Sequence, residues 1–463
     1  MKEKSMKNRL TILSLIVVVS IVLSACVQQV TPTPEPTAVP TAEVVVQPTD
    51  VPTVAPTEET KVELGPLLKI GQIGMMSGAM ALYGSQQTRG FELGLEYASG
   101  GQKDDAGHWI IANRPVEVLV RDDEGNPEKA VQIARELIEK DGVEILQGPV
   151  SSASAAALTT VALENKIILM VDPAASALIT GQYFNPYVFR TSRTSYDDVL
   201  VIAKYLVENV GTKFAHIGID NAFGQGSGIA LDYAVKQYGG EVIAQIYAPF
   251  DTTDFTPYIQ QAMDSGADVL FLTWSGTGYV TLFQQLADLG ALDAMQVATG
   301  FGDNASFAAV FGAAVGQIGL NVYHYTAADT EINKWLTEKH LEAFGEPPDL
   351  FTAGGMASAL ALAAALEKTG GDATGDVMIP ALEGLQFDGP KGIYFIRPED
   401  HVALQPMNIL KLVNIDPGLD AQGRPTYAFF ETVYVTAYDE LKVPCTLVGE
   451  YASRCGDLPV PTP

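Results

Sequence analysis

Glu144-Ile-Leu-Gln-Gly-Pro-Val150 runs into Ser151-Ser-Ala-Ser154, and Ile167-Ile-Leu-Met-Val171 runs into Asp172-Pro-Ala-Ala-Ser176. Both apolar runs stop in small hydroxyl residues, and an Ala-rich helical segment, Ala153 to Lys166, joins them. Short β-rich runs joined this way read as strand, helix, strand of a parallel sheet. Ligands collect at the carboxyl ends of such strands. There the first N–H groups of the next helix, with hydroxyls such as those of Ser152 and Ser176, can hold a carboxylate. Serine is also a favoured cap of any helix, so the two hydroxyls alone fit both roles.

The same alternation extends in both directions. Upstream, Leu68 to Met76 reads as a strand, Ser85 to Ser99 as a helix, and Val116 to Val120 as a strand closed by Arg121-Asp-Asp-Glu-Gly-Asn-Pro127. Pro127 to Lys140 has the amphipathic spacing Val131, Ala134, Leu137, Ile138. Four such strands before Phe189, with right-handed crossovers, predict an open doubly wound α/β unit. Past Thr191 a second series begins: helix Tyr196 to Asn209, strand Phe214 to Ile219, helix Gly226 to Tyr238, strand Glu241 to Ile246, strand Asp268 to Trp274 and a helix to Gly290. A third, helical series (Trp335 to Phe344, Thr352 to Lys368) precedes strands at Ile393 to Ile396 and Met407 to Leu412. The fold class is therefore α/β with two doubly wound, Rossmann-like lobes and a cleft between them, the usual place for a small-molecule site.

The first 65 residues differ in kind. Lys2, Lys4, Lys7 and Arg9 precede an apolar run from Leu10 to Leu23, the charged and apolar regions of a signal peptide, too short for a membrane span. The run ends in Leu23-Ser-Ala-Cys26, which matches the bacterial lipobox, so residues 1–25 are expected to be cleaved and Cys26 lipidated. Residues 26–65 are rich in Thr, Pro, Val and Glu, with seven prolines between Val27 and Leu64. Such a stretch cannot build a core, and its prolines favour an extended disordered stalk. The expected location is the outer face of the cell membrane, held there by lipid.

Lys plus Arg number 28 against 55 Asp plus Glu, a net charge of −27. That excludes a nucleic-acid partner, whose phosphates need clustered cations. Cys445 and Cys455 bracket a short polar loop and, outside the cytoplasm, are expected to pair. The five histidines are scattered without metal-site spacing, and no Gly-x-Ser-x-Gly elbow appears. Gly224-Gln-Gly-Ser-Gly228 lacks the Lys-Ser/Thr of a phosphate loop and the full dinucleotide fingerprint. It reads as a glycine-rich turn that lets backbone approach the cleft. No cofactor, metal or catalytic residue is expected.

Ile73-Gly-Met-Met-Ser-Gly78 with Tyr83-Gly, Asp122-Asp-Glu-Gly-Asn-Pro127 with Ala130, Gly148-Pro-Val-Ser-Ser152, Ile168 to Thr180 and Phe189-Arg-Thr191 stand in an order and spacing that resemble one family. It is the branched-chain amino-acid-type (Leu/Ile/Val-binding) substrate-binding proteins of ABC transporters, type I periplasmic binding proteins. The resemblance spans about Leu67 to Lys442. It implies two lobes joined by a three-segment hinge, with residues 66–190 plus 324–400 in lobe 1, 191–323 plus 401–442 in lobe 2, and a tail at 443–463. It also implies a monomer that closes on a small ligand and docks on ABC permease subunits in the membrane. Carried over by position, Ser152, Ala174 and Ser176 hold the ligand's carboxylate and ammonium, Tyr83 caps the site, and Phe223 stands where the family often has a stacking tyrosine. Trp274 faces the cleft from the second lobe. Where amino-acid binders place an acidic residue on the ammonium, this chain has Phe301. Either Asp303 takes that role, or the ligand is an amide, a carboxylate or an aromatic acid. A sensor for a signalling partner would use the same fold and cleft, and an extracellular hydrolase would need a nucleophile that no motif supplies.

Overall fold

The computed structural model describes residues 63–461 apart from 277, 301, 305, 307–314, 317, 415–417, 420–424 and 427–428. The expectations for the signal segment, for Cys26, for the stalk up to residue 62 and for Phe301 lie outside the described residues.

The first sheet is built from β1 (Leu68–Gly74), β2 (Trp109–Ile111), β3 (Arg114–Asp122), β4 (Ile145–Gln147), β5 (Ile168–Val171) and β6 (Val188–Arg190) in the order β2-β3-β1-β4-β5-β6. All neighbours run parallel except β2, which forms a hairpin with β3. Apolar side chains alternate along each strand. Ile145, Ile168 and Met170 face one layer of helices, while Leu146, Leu169 and Val171 face the other. Both faces are covered, so the strands read as continuous apolar runs.

On one face lie α2 (Pro127–Glu139) and α3 (Ser152–Asn165); on the other, α1 (Ala81–Ala98) packs against a helix from far along the chain, Thr352–Thr369. The two touch through glycine. A Cβ on Gly90 would stand 2.0 Å from the Thr352 carbonyl oxygen, and one on Gly355 2.2 Å from that of Gln87. No side chain fits there, and the backbones meet directly.

The second lobe follows α4 (Ser195–Asn209). Its sheet has the order β10-β9-β7-β8, from β7 (Lys213–Ile219), β8 (Glu241–Ala248), β9 (Val269–Thr273) and β10 (Gln296–Thr299). These strands alternate with α5 (Ala222–Lys236), α6 (Thr256–Asp264), α7 (Gly278–Asp288) and the short α8 (Ala291–Ala294). A parallel bridge between Gly300 and Leu320 connects β10 to β11 (Ile318–Asn321). The chain then returns to the first lobe for α9 (Glu331–Phe344), the far helix Thr352–Thr369 just described (α10), α11 (Gly375–Leu382) and the antiparallel strands β12 (Gln386–Gly389), β13 (Gly392–Ile396) and β14 (Ala403–Leu404). It re-enters the second lobe as β15 (Met407–Asn414), which pairs with β11 and with the strand Phe429–Thr436. The chain thus crosses between lobes near Arg190–Ser195, Asn321–Glu331 and Leu404–Met407.

Two details differ from the sequence reading. The β2–β3 hairpin adds an antiparallel edge that the βα alternation does not announce. Gly224-Gln-Gly-Ser-Gly228 is no turn but the start of α5. A Cβ on Gly224 would stand 2.0 Å from the Ile219 carbonyl oxygen and one on Gly228 2.4 Å from the Tyr247 hydroxyl. The glycines let the helix lie directly on its own sheet.

The tail carries a Cys445–Cys455 disulfide, buried with Phe184 and Leu447. Arg397 ties it to lobe 1 by donating to the Val443 carbonyl at 2.7 Å while ion-paired with Asp400 at 2.5 Å.

Candidate functional site

Strand order selects the site. In lobe 1 the sheet reverses direction of growth between β1 and β4, and in lobe 2 between β7 and β9. Crevices open outside the carboxyl ends of such strand pairs. The segments leaving these four strands carry Tyr83, Ser152, Phe223 and Trp274, and the two lobes set them against each other around two adjoining cavities. The larger holds about 650 Å³ of empty space and the smaller about 510 Å³, open mouths included. Tyr83 and Phe223 line both, Trp274 the larger and Ser152 the smaller.

Tyr83, in the first turn of α1, stands edge-on to Phe351 with ring centroids 4.8 Å apart. Its hydroxyl accepts the N–H of Gly276 from the other lobe at 3.2 Å. Burial, helped by the nearby Asp303 carboxylate, pushes this phenol's pKa well above its ordinary value, so it stays a neutral hydroxyl. Asp349 makes a second tie between lobes: one carboxylate oxygen accepts the Asn304 N–H at 3.0 Å and Gln86 Nε2–H at 3.0 Å. These two clasps close the cleft.

The two serines of the opening stretch divide their roles differently from the expectation. Ser151 is the N-cap of α3, accepting from the Ser154 N–H. Ser152 is on the cavity wall, and its hydroxyl accepts the Ser176 N–H at 3.2 Å, bracing the loop after β5. Ser176 itself is wholly buried, and neither it nor Ala174 lines either cavity; Pro173 and Ala175 do. The Ala174 carbonyl accepts from Arg190 Nη2 at 2.6 Å and from the Ser192 hydroxyl at 2.8 Å. Asp303 is buried but off both walls, its carboxylate accepting the Ser306 N–H at 2.9 Å and hydroxyl at 2.8 Å. Phe301 lies outside the described residues.

Arg193 went unremarked in the sequence. It stands on the first crossover, is 7% exposed, and lines both cavities. Its Nε donates to Asp198 at 3.1 Å and its Nη1 to the Pro173 carbonyl at 3.1 Å. Burial pushes the Asp198 carboxyl's pKa up, against the pull of Arg193. The available signal was Phe189-Arg-Thr-Ser-Arg193, two arginines on the segment that joins the lobes.

The larger cavity is walled by Phe271, Trp274, Tyr279 and Phe351 with a few hydroxyls, among them Thr273 and Thr299. Thr273 pairs with His216 Nε2 at 2.9 Å. Burial drives that imidazole's pKa down to about 3, and no described residue partners its Nδ1. The pair lacks the orienting third group of a nucleophilic triad. Among the described residues no three His, Cys, Asp or Glu side chains gather as a metal site. The arrangement is built to enclose a molecule.

Comparison with known proteins agrees. The periplasmic binding protein family matches residues 68–417. Leu/Ile/Val-binding protein homolog 6 of Brucella melitensis is 27% identical over 360 residues, 76% of this chain and 89% of that one. An ABC-type branched-chain amino acid transporter structure from Rhodopseudomonas palustris CGA009 superposes with a TM-score of 0.68 at 32% identity, covering 82% of this chain and 100% of that one. A solute-binding protein of an ABC transporter from Rhodopseudomonas palustris BisB5, in complex with 3,4-dihydroxybenzoic acid, gives 0.68 at 25% identity, covering 80% and 98%. With its two parallel-sheet lobes clasped over a cavity, the chain belongs to the periplasmic binding protein family and is an extracytoplasmic solute-binding protein of the ABC-transporter class.

Proposed function

We propose that the protein is a lipid-anchored receptor that captures a small organic carboxylate between its lobes and presents it to an ABC permease. The observation that carries this reading is the clasp across the cleft, Tyr83 to Gly276 and Asp349 to Asn304, with Tyr83 itself on the wall of both cavities. Affinity then comes from closure, the ligand selecting the closed form through contacts to both lobes. Tyr83, Ser152, Phe223 and Trp274 contact the ligand, while Ala174 and Ser176 hold the wall from behind. Lipid on Cys26 and the stalk keep the receptor near its permease.

The test is a thermal-shift screen of the purified full chain against amino acids, amides and aromatic acids. A ligand present at about 100 times its Kd adds about 2.7 kcal/mol to native stability and raises Tm. A screen in which no carboxylate raises Tm refutes the reading. Tyr83→Phe removes the acceptor of the Gly276 N–H but keeps the ring. Calorimetry should show ligand affinity weakened by about 1 kcal/mol, the net worth of one hydrogen bond, with the unliganded fold unchanged.

A further inference from the structure

The smaller cavity is bounded by two helix N-termini from opposite lobes: Ser151–Ala153 where α3 begins, and Asn221 with Phe223 where α5 begins. Each presents a partial positive charge to the space between. Beside them stands Arg193, its side chain only 8% exposed. The bonds from Nε to Asp198 and from Nη1 to the Pro173 carbonyl fix the plane of its guanidinium. No described residue accepts from Nη2, although the residue faces both cavities. A buried, oriented fork with an unused donor, between two helix starts, suits a carboxylate.

The described walls leave an ammonium no unpaired carboxylate, and two carbonyls of the loop after β5 are already engaged. The Ala174 carbonyl takes Arg190 and Ser192, and the Ala175 carbonyl takes the Ser195 N–H at 2.9 Å and the Ser195 hydroxyl at 3.2 Å. Asp198, paired with Arg193, is the only acidic residue among the described walls of the two cavities. An ammonium desolvated without acceptors is costly. The remaining wall is largely aromatic and aliphatic, with neutral polar groups such as Ser152, Asn221, Ser227, Thr273, Ser275 and Thr299.

Given the reading of this cleft as a carboxylate site, we propose that Arg193 is its specificity-determining anchor and that the ligand is an aromatic or other apolar monocarboxylate without an ammonium group. The carboxylate lies in the smaller cavity between Arg193 and the two helix starts, and the apolar body lies against Phe223, Trp274 and Phe351.

Titration calorimetry of the full chain with benzoate, its neutral isostere benzamide, and leucine tests this. Wild type should bind benzoate about 30-fold tighter than benzamide, the range of a charge-assisted hydrogen bond, and leucine more weakly than benzoate. Arg193→Met should abolish the preference while keeping benzamide affinity, and Arg193→Lys should restore part of it. Equal benzoate affinity in wild type and Arg193→Met overturns the proposal. So does joint loss of benzoate and benzamide in both variants, since Arg193 would then only hold the hinge. Wild type that binds leucine but neither probe overturns the ammonium-free class and leaves the carboxylate receptor standing. Binding of none of the three overturns both.

Discussion

Arg190→Met should destabilise the protein by about 3 to 5 kcal/mol, the cost of breaking a buried charged network from one side. Arg190 has no solvent exposure, and burial lowers its pKa to about 10 against the pull of Asp197. Its guanidinium donates to the carbonyls of Ala174 at 2.6 Å, Ser176 at 2.9 Å and Arg193 at 2.9 Å, and to the Ser192 hydroxyl at 3.1 Å. Methionine fills the volume but takes one donor from the Ala174 and Ser176 carbonyls, which keep the Ser192 hydroxyl and the Ile179 N–H, and leaves the Arg193 carbonyl without a described donor in the interior, where such a group carries a desolvation penalty. Arg190→Lys should recover only part of the loss, because one ammonium cannot span acceptors from both loops. Urea midpoints at constant m-value measure this. A loss under about 1 kcal/mol for Arg190→Met would show that the loops after β5 and β6 hold themselves. Because those loops wall the smaller cavity, ligand affinity should fall with stability.

From about pH 4 to about pH 7 the stability of wild type should fall relative to that of Asp172→Asn, because the other groups that titrate in this window, His216 and Asp349, are common to both proteins. Asp172 is 1% exposed and its Oδ2 has no partner among the described residues. Burial raises its carboxyl pKa to about 7, despite Arg193, Arg190 and Lys391 nearby. In the unfolded chain the group titrates near 3.9. Below that value both states are protonated and the full contribution is present. Between the two values the unfolded chain has released a proton that the native chain keeps, so stability declines with pH, by a total on the order of 4 kcal/mol. Above about 7 both states are ionised and the decline stops. Lys391, also buried at this hinge and lowered to about 7, acts above that pH in the opposite sense. Glu383, held near 2 by His401 and Arg454, acts only below the window. Stability curves for wild type and Asp172→Asn that stay parallel from pH 4 to 7 would refute the assignment.

The lobes were legible because a buried parallel sheet writes itself as apolar runs: Ile145 to Gln147 and Ile168 to Val171 are strands within a residue or two of the reading. Ser151 and Ser152 show the limit at the site. Both line the smaller cavity, and what separates them is the partner of each hydroxyl: Ser151 accepts from its own helix start, whereas Ser152 accepts the Ser176 N–H across two loops, a contact between distant segments that local sequence does not reveal. Arg193 was hidden for another reason. A charged residue on a connecting loop is ordinarily solvated, and only the meeting of three crossovers buries this one. The helix begins at Ala222, ahead of the expected Gly226, because close packing on the sheet outweighs the poor helix preference of glycine at Gly224.

The glycine contact between α1 and α10 also bears on how the chain is made. Residues 81–98 emerge early, yet the surface that covers them, residues 352–369, comes only after the entire second lobe. Until then the face of the first sheet that carries Ile70 and Ile168 is covered only in part, by α1 with its Phe91. Closing so long a loop is slow, and the exposed apolar face is open to wrong partners meanwhile. The second lobe waits in turn for Met407–Asn414 and Phe429–Thr436, so the interleaving that builds the hinge means that neither lobe can mature alone.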